Sequence, residues 1–173
     1  MHKTPARLPE SPESPDSPDS PESPDSLHIV YTSQLAPGED YTAYGRICRV
    51  ARQRNGPLAL SGVLLFDGQR FCQWLHGEPT ATAALMLSIA SDKRHVGVQI
   101  RLQTLLPRDA FAAGWRAGFV DSDTLEQFVQ HPATGTDQVL AALGRLLAAA
   151  DVEPAMHQTL SGRAASARGA GCA

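Results

Sequence analysis

The sequence predicts an α+β fold: a ferredoxin-like βαββαββ sheet with two helices on one face, followed by C-terminal helices. Three observations predict it. Apolar residues alternate between strand and helix periods along 27–121. The changes of period follow the order strand, helix, strand, strand, helix, strand. The shortest common hairpin signal, Asp67-Gly68, falls between the second and third strands.

Leu27-His-Ile-Val-Tyr-Thr-Ser33 is rich in β-branched and aromatic residues and ends before Pro37-Gly38, so it reads as strand one. Tyr44, Ile47, Cys48 and Ala51 then recur at helical spacing, which predicts a helix over 40–54 with Asp40 as N-cap and Asn55-Gly56-Pro57 as its stop. Leu60–Phe66 and Phe71–Leu75 flank the Asp-Gly turn as a hairpin. Ala81, Ala84, Leu85 and Ile89 restore the helical period, and Asp92-Lys-Arg-His95 ends it. Val96–Leu106 alternates as a fourth strand, and Trp115–Val120 reads as a fifth. Helices follow over 122–131 and 136–150, the second with the apolar stripe Val139, Leu143, Leu146, Leu147 and Ala150. They are expected on the far face of the sheet, where they would form a homo-oligomer or partner surface.

Of the 173 residues, the first 26 cannot contribute to a core. Five Ser-Pro-acid triplets fill 11–25, and proline at every third position removes backbone donors while the acids repel one another. The domain reading is therefore a disordered tail over 1–26, a folded domain over 27–121, a helical cap over 122–152 and a flexible tail over 153–173. Six of the 18 acids lie in the first tail, leaving 12 against 13 Lys and Arg in 27–173. A nearly neutral folded part argues against nucleic acid as a partner, and Arg46, Arg49, Arg52 and Arg54 read as a solvated helix face. No apolar run approaches the roughly 18 residues that span a bilayer, and the N-terminus lacks a signal core, so the expected location is cytoplasmic with no membrane partner. Cys48, Cys72 and Cys172 have no metal-binding spacing. The first two read as small core residues, and no metal site is expected.

Gln73 is the informative residue. It sits in the middle of a strand that otherwise reads as buried, and leaving its amide dry costs about 1–3 kcal/mol. Something polar must lie against that strand, and Tyr31 in strand one is the candidate. A Tyr–Gln pair on one sheet face points to a small polar ligand, and two helices side by side over that face leave a slot for a planar one. Trp74 points the opposite way and reads as packing.

These landmarks resemble the BLUF domains, blue-light sensors that bind flavin. Over 27–121 the chain carries the first-strand tyrosine (Tyr31), an asparagine after helix one (Asn55), the [ST]-G-x-L hairpin with F-x-Q-x-L-x-G (Phe71, Gln73, Leu75, Gly77), and D-x-R-H (Asp92, Arg94, His95). The resemblance implies FAD as cofactor, with FMN or riboflavin as alternatives. It implies that Tyr31 and Gln73 are the photoactive pair beside the ring's N5 and C4 carbonyl, with Trp115 also photoactive. Asn55 is implied to hold the pyrimidine edge, Ile47 and Ile89 to sandwich the ring, and Asp92, Arg94 and His95 to meet the ribityl and phosphate part. In such a sensor, light moves an electron and a proton from the tyrosine to the flavin, the glutamine rearranges, and only the hydrogen-bond pattern is retained.

Three positions depart from the family pattern. Ala117 stands where Met is usual, His76 where Glu is common, and Ser88 where a longer basic side chain often helps hold the cofactor. Residue types alone support the main roles. Tyr is an oxidisable phenol, and Gln presents a donor or an acceptor at one position by turning. The resulting expectation is a photoreceptor that is not itself an enzyme and that signals to a partner protein. The alternative is a BLUF-derived interaction module with weak or no photosignalling, favoured by Ala117. A flavin oxidoreductase ranks third, because no substrate-facing acid–base pair or nicotinamide motif is present.

Overall fold

The structure, a computed structural model, describes residues 25–107, 113–131 and 133–153. In chain order the elements are β1 (Asp25–Leu35), α1 (Thr42–Asn55), β2 (Ser61–Phe66), β3 (Arg70–Gly77), α2 (Pro79–Ala90), β4 (His95–Pro107), β5 (Trp115–Phe119), α3 (Ser122–Gln130), α4 (Thr136–Ala149) and β6 (Asp151–Val152). The sheet runs β4-β1-β3-β2-β5-β6. Its first four strands have the ferredoxin-like order expected from the element sequence, and β5 joins parallel to β2.

Period-two alternation decides which layer each side chain enters. Ile29, Tyr31, Phe71, Leu75, Leu64 and Ala117 face α1 and α2, where they pack with Ile47, Cys48 and Met86. Val30, Cys72, Trp74, Val63 and Leu102 face the other way and pack with Leu125 of α3 and Val139, Leu143 and Leu146 of α4. The C-terminal helices thus cover the far face, as expected, and Trp74 points away from Gln73's side. Cys48 and Cys72 are buried and unbridged.

Several boundaries differ from expectation. β1 begins at Asp25, so Asp25 and Ser26, assigned above to the tail, are strand residues paired with Pro107 and Leu106 of β4. The N-cap of α1 is Tyr41. Asp40 still serves the first turn, because its Oδ1 accepts from the Thr42 amide at 2.9 Å. The cap over 122–152 ends in a two-residue strand, β6, which pairs with Gly118 and Phe119 of β5. So short a strand leaves no periodic signal. The tail over 1–24, Cys172 and most of the tail over 153–173 lie outside the described residues.

The start of α2 and the Ser61-Gly62 pair have local causes. Glu78 accepts from the Thr80 and Ala81 amides at 2.9 and 2.7 Å, satisfying two of the helix's free donors. Gly62 has φ +145°, and a Cβ there would lie 2.0 Å from the Trp74 carbonyl oxygen, so only glycine lets β2 approach β3 this closely.

Candidate functional site

Tyr31 and Gln73 are directly opposed across the antiparallel β1–β3 pair. The Tyr31 hydroxyl donates to Gln73 Oε1 at 2.5 Å, and both residues are buried. Burial pushes the Tyr31 phenol well above its ordinary pKa, with lesser contributions from Cys72 and Asp92. It therefore keeps its proton and acts as the donor of the pair.

The pair forms part of the floor of a cleft of about 490 Å³, its open mouth included. α1 supplies Ile47, Val50, Ala51, Arg54 and Asn55, and α2 supplies Leu85, Ser88 and Ile89. Asp92, Arg94 and His95 close one end. All eight residues expected to bind the cofactor, Tyr31, Ile47, Asn55, Gln73, Ile89, Asp92, Arg94 and His95, line this one cleft.

The polar end is organised by local bonds. Asp92 accepts from Arg94 through Nε at 2.9 Å and Nη2 at 2.5 Å, and from the Arg94 amide at 3.0 Å. That hydrogen bonding holds the Asp92 carboxyl below its usual range and raises the guanidinium pKa. Ser33 Oγ lies 3.0 Å from His95 Nδ1, and burial lowers the His95 pKa, favouring the neutral ring.

Asn55 presents the opposite condition. It is 1% exposed, and among the described residues neither Nδ2 nor Oδ1 has a hydrogen-bond partner. Its backbone is satisfied, with the carbonyl accepting from the Leu60 amide at 2.9 Å. A buried amide at a cleft wall with both its donor and its acceptor unmatched suits a ligand edge that alternates acceptor and donor.

The structure does not bring Trp115 to the cleft. It lies on β5, separated from β3 by β2, and Leu64 stands between Gln73 and Ala117 in the register. Its ring lies 5.8 Å under the Arg52 guanidinium. Conversely, Val50, Ala51, Arg54 and Leu85 line the cleft without having been singled out. Their spacing held the signal: Val50, Ala51 and Arg54 fall three, four and seven residues after Ile47, on one helix face, and Leu85 four before Ile89. Arg54 is exposed, as a solvated helix face implies, and it also stands at the cleft rim beside Asn55.

Residues 27–117, just over half of the chain, match the family described as BLUF, sensors of blue-light using FAD. The chain belongs to the BLUF family. A photoactivated adenylate cyclase subunit beta from Euglena longa is 29% identical over 100 residues, covering 58% of this chain and 12% of that protein. The chain thus spans about an eighth of that curated relative. Among solved structures, the BLUF part of BlrP1 aligns at 27% identity and a TM-score of 0.52, covering 72% of this chain and 88% of that one. BlrB, a BLUF protein in its dark state, aligns at 24% identity with a TM-score of 0.54, over 72% and 96% of the two chains. BlsA in its photo-activated state gives 22% and 0.58, over 70% and 94%. The last two show the shared fold.

BLUF domains are blue-light sensors that use FAD, and the cleft fits such a group. The unmatched Asn55 amide meets the requirement of a flavin's polar edge, Ile47 and Ile89 provide apolar walls on opposite helices, and Arg94 brings positive charge to one end. No helix among the described residues is long and apolar enough to cross a membrane.

Proposed function

We propose that this BLUF protein senses blue light through a hydrogen-bond switch between Tyr31 and Gln73 and passes the signal to a partner protein. The 2.5 Å bond between the two side chains on the cleft floor carries this reading. A bound flavin supplies blue-light absorption and a strongly oxidising excited state. Tyr31 is the reductant: its ring gives up an electron and its Oη gives up the proton, and both return, so no net chemistry is left behind. While the proton is away, Gln73 loses the donor that fixes its orientation. Turning the amide places Nε2 where Oε1 stood, and the returning phenol meets a donor instead of an acceptor.

Asn55 holds the polar edge of the ring, and Ile47 and Ile89 clamp its faces, each apolar side chain contributing on the order of 1.5–3 kcal/mol when fully buried. Arg94 faces the phosphate end, with Asp92 fixing its orientation and His95 held neutral beside Ser33. The surface formed by α3 and α4 is the output face, taken by a partner or by a second copy of the chain. A second reading, a module that binds flavin but signals weakly, is favoured by Ala117, whose small side chain stands beside Leu64 where a Met would make softer and longer contacts.

One absorption spectrum before and after blue light tests the switch. The expected result is a small, reversible red shift of the flavin band that recovers in the dark. Tyr31→Phe and Gln73→Leu should each retain flavin and lose the shift, and an intact photocycle in either variant removes the mechanism.

A further inference from the structure

β4 does not pair evenly with β1. Val30 lies opposite Leu102, but the next residue, Tyr31, lies opposite Ile100, so β4 carries one residue more than β1 at this point. That extra residue is Arg101, a β-bulge directly beside the proposed photoactive tyrosine. Its side chain leaves the sheet on the far face. There Nη2 donates to the Phe128 carbonyl at 3.0 Å and to the Val129 carbonyl, and the guanidinium lies 6.0 Å from the centre of the Phe128 ring.

These contacts are made to the last turn of α3, whose carbonyls have no partner within the helix. α3 carries no basic residue in its own last turn. Arg101 therefore supplies from β4 the cation that the helix dipole favours at a C-terminus. Both neighbours of the bulge on β4 lie toward the far-face helices. Leu102 joins Val30 in the core beneath α3 and α4, and Ile100 lines a far-face cavity with Phe128 and Val139. Tyr31, the register partner of Ile100 on β1, sends its own side chain into the flavin cleft, so the division falls across the Tyr31–Ile100 pair. A bulge is the point where a ladder has fewest bonds resisting a shift, so a backbone displacement at Tyr31 is absorbed at Arg101.

We propose that Arg101 is a positioning residue for output: it ties the Tyr31 strand to the C-terminus of α3, so that the light-driven change at Tyr31 and Gln73 alters its hold on the Phe128 and Val129 carbonyls. This inference rests on the switch described above. It adds the specific route by which the switch reaches the far face.

The test follows the flavin absorption shift and amide hydrogen exchange over 125–131, in the dark and in the light, for the full flavin-loaded chain and for Arg101→Ala and Arg101→Lys. In the unmodified chain, light should change exchange over 125–131 along with the red shift. Arg101→Ala should keep the red shift, exchange about tenfold faster over this segment in the dark, as loss of a charge-assisted bond implies, and show no further change on illumination. Arg101→Lys keeps the cation but loses the planar fork. It guards against a misfolded alanine variant: it should stay folded and red-shifting with a reduced light response of α3.

A red shift in the unmodified chain with no exchange change over 125–131 overturns the coupling while leaving the switch intact. So does a full light response of α3 in both variants. Absence of the red shift in the unmodified chain overturns the switch and this route together, and the absorption spectrum alone identifies that case.

Discussion

Replacing Asn55 with alanine should affect the flavin-free and flavin-bound forms in opposite directions. Without ligand, the buried Nδ2 and Oδ1 have no partner among the described residues. An unsatisfied buried polar group costs about 1–3 kcal/mol, and alanine removes that cost. The change also raises helix propensity at the last residue of α1, by about half a kcal/mol. The space vacated opens onto the cleft instead of sealing a void, so the usual cavity penalty is small. The Asn55 carbonyl keeps its bond from the Leu60 amide in either case. Flavin-free Asn55→Ala should therefore be as stable as the original or more so, by on the order of 1 kcal/mol. With ligand, two hydrogen bonds to the ring's edge are lost, a net change of about 1–3 kcal/mol or roughly 5- to 150-fold in Kd. Urea unfolding of the flavin-free protein and fluorescence titration with riboflavin measure the two effects separately. Riboflavin isolates the ring from the phosphates. A variant that is clearly less stable without flavin and binds riboflavin as well as before would show that the Asn55 amide is a structural group, and the binding argument would fail.

The remaining predictions concern the cleft's charged end, the packing beside Gln73 and pH. If Arg94 takes the proposed role at the phosphate end, Arg94→Ala should weaken FAD and FMN several-fold and leave riboflavin nearly unchanged; equal losses for all three in titrations would refute that role. Ala117 is 1% exposed among Ile47, Leu64, Phe66 and Phe71, so Ala117→Met should destabilise the fold by about 1–3 kcal/mol through overpacking. The same change should enlarge the light-minus-dark amide I signal if β5 takes part in output; an unchanged signal would exclude β5. His28 is fully buried, and burial, aided by the stacked His76, pushes its pKa from 6.5 down to about 4. The unfolded chain therefore binds a proton that the folded one refuses between these values. Stability is complete above the unfolded pKa and falls as pH drops through this window, by about 2 kcal/mol from His28 alone between pH 6.5 and 5. Urea unfolding at pH 7 and 5 should show a smaller fall in His28→Gln, and an equal fall would assign the loss to other groups.

Much of the cleft's lining was legible in the sequence because several of its residues sit where a local rule is broken or a motif recurs: an amide in an apolar strand at Gln73, an Asn at a helix end at Asn55, charges in a short turn at Asp92 and Arg94. It made the order of elements legible because the periods of 2.0 and 3.6 are distinct. What it hid is of two kinds. Features set by pairing register, such as the bulge at Arg101 and the two-residue strand at Asp151–Val152, depend on residues far apart in the chain and leave no periodic trace. Features set by which flank of a helix faces the slot, such as Arg54 at the cleft rim, differ from a solvated face by a rotation smaller than one residue. That Trp115 stands two strands away from Gln73 was hidden for the first reason, since only the strand order shows that β2 intervenes.

The strand order also separates the two possible output routes by stiffness. From Gln73 the path toward β5 crosses Leu64 to Ala117, a regular ladder ending in a side chain too small to take up and pass on a displacement. From Tyr31 the path toward β4 crosses a single pairing and reaches a bulge, where one long side chain already grips another layer. A second irregularity between Thr32 and Gln34, where Gly97 has φ +63°, loosens β4 on the other side of Tyr31 as well. Tyr31 is therefore held firmly toward Gln73 and loosely toward β4. A change in the Tyr31–Gln73 bond meets least resistance on the β4 side, so in this BLUF domain the far-face helices should respond through β4 even though the residue usual at the Ala117 position is missing.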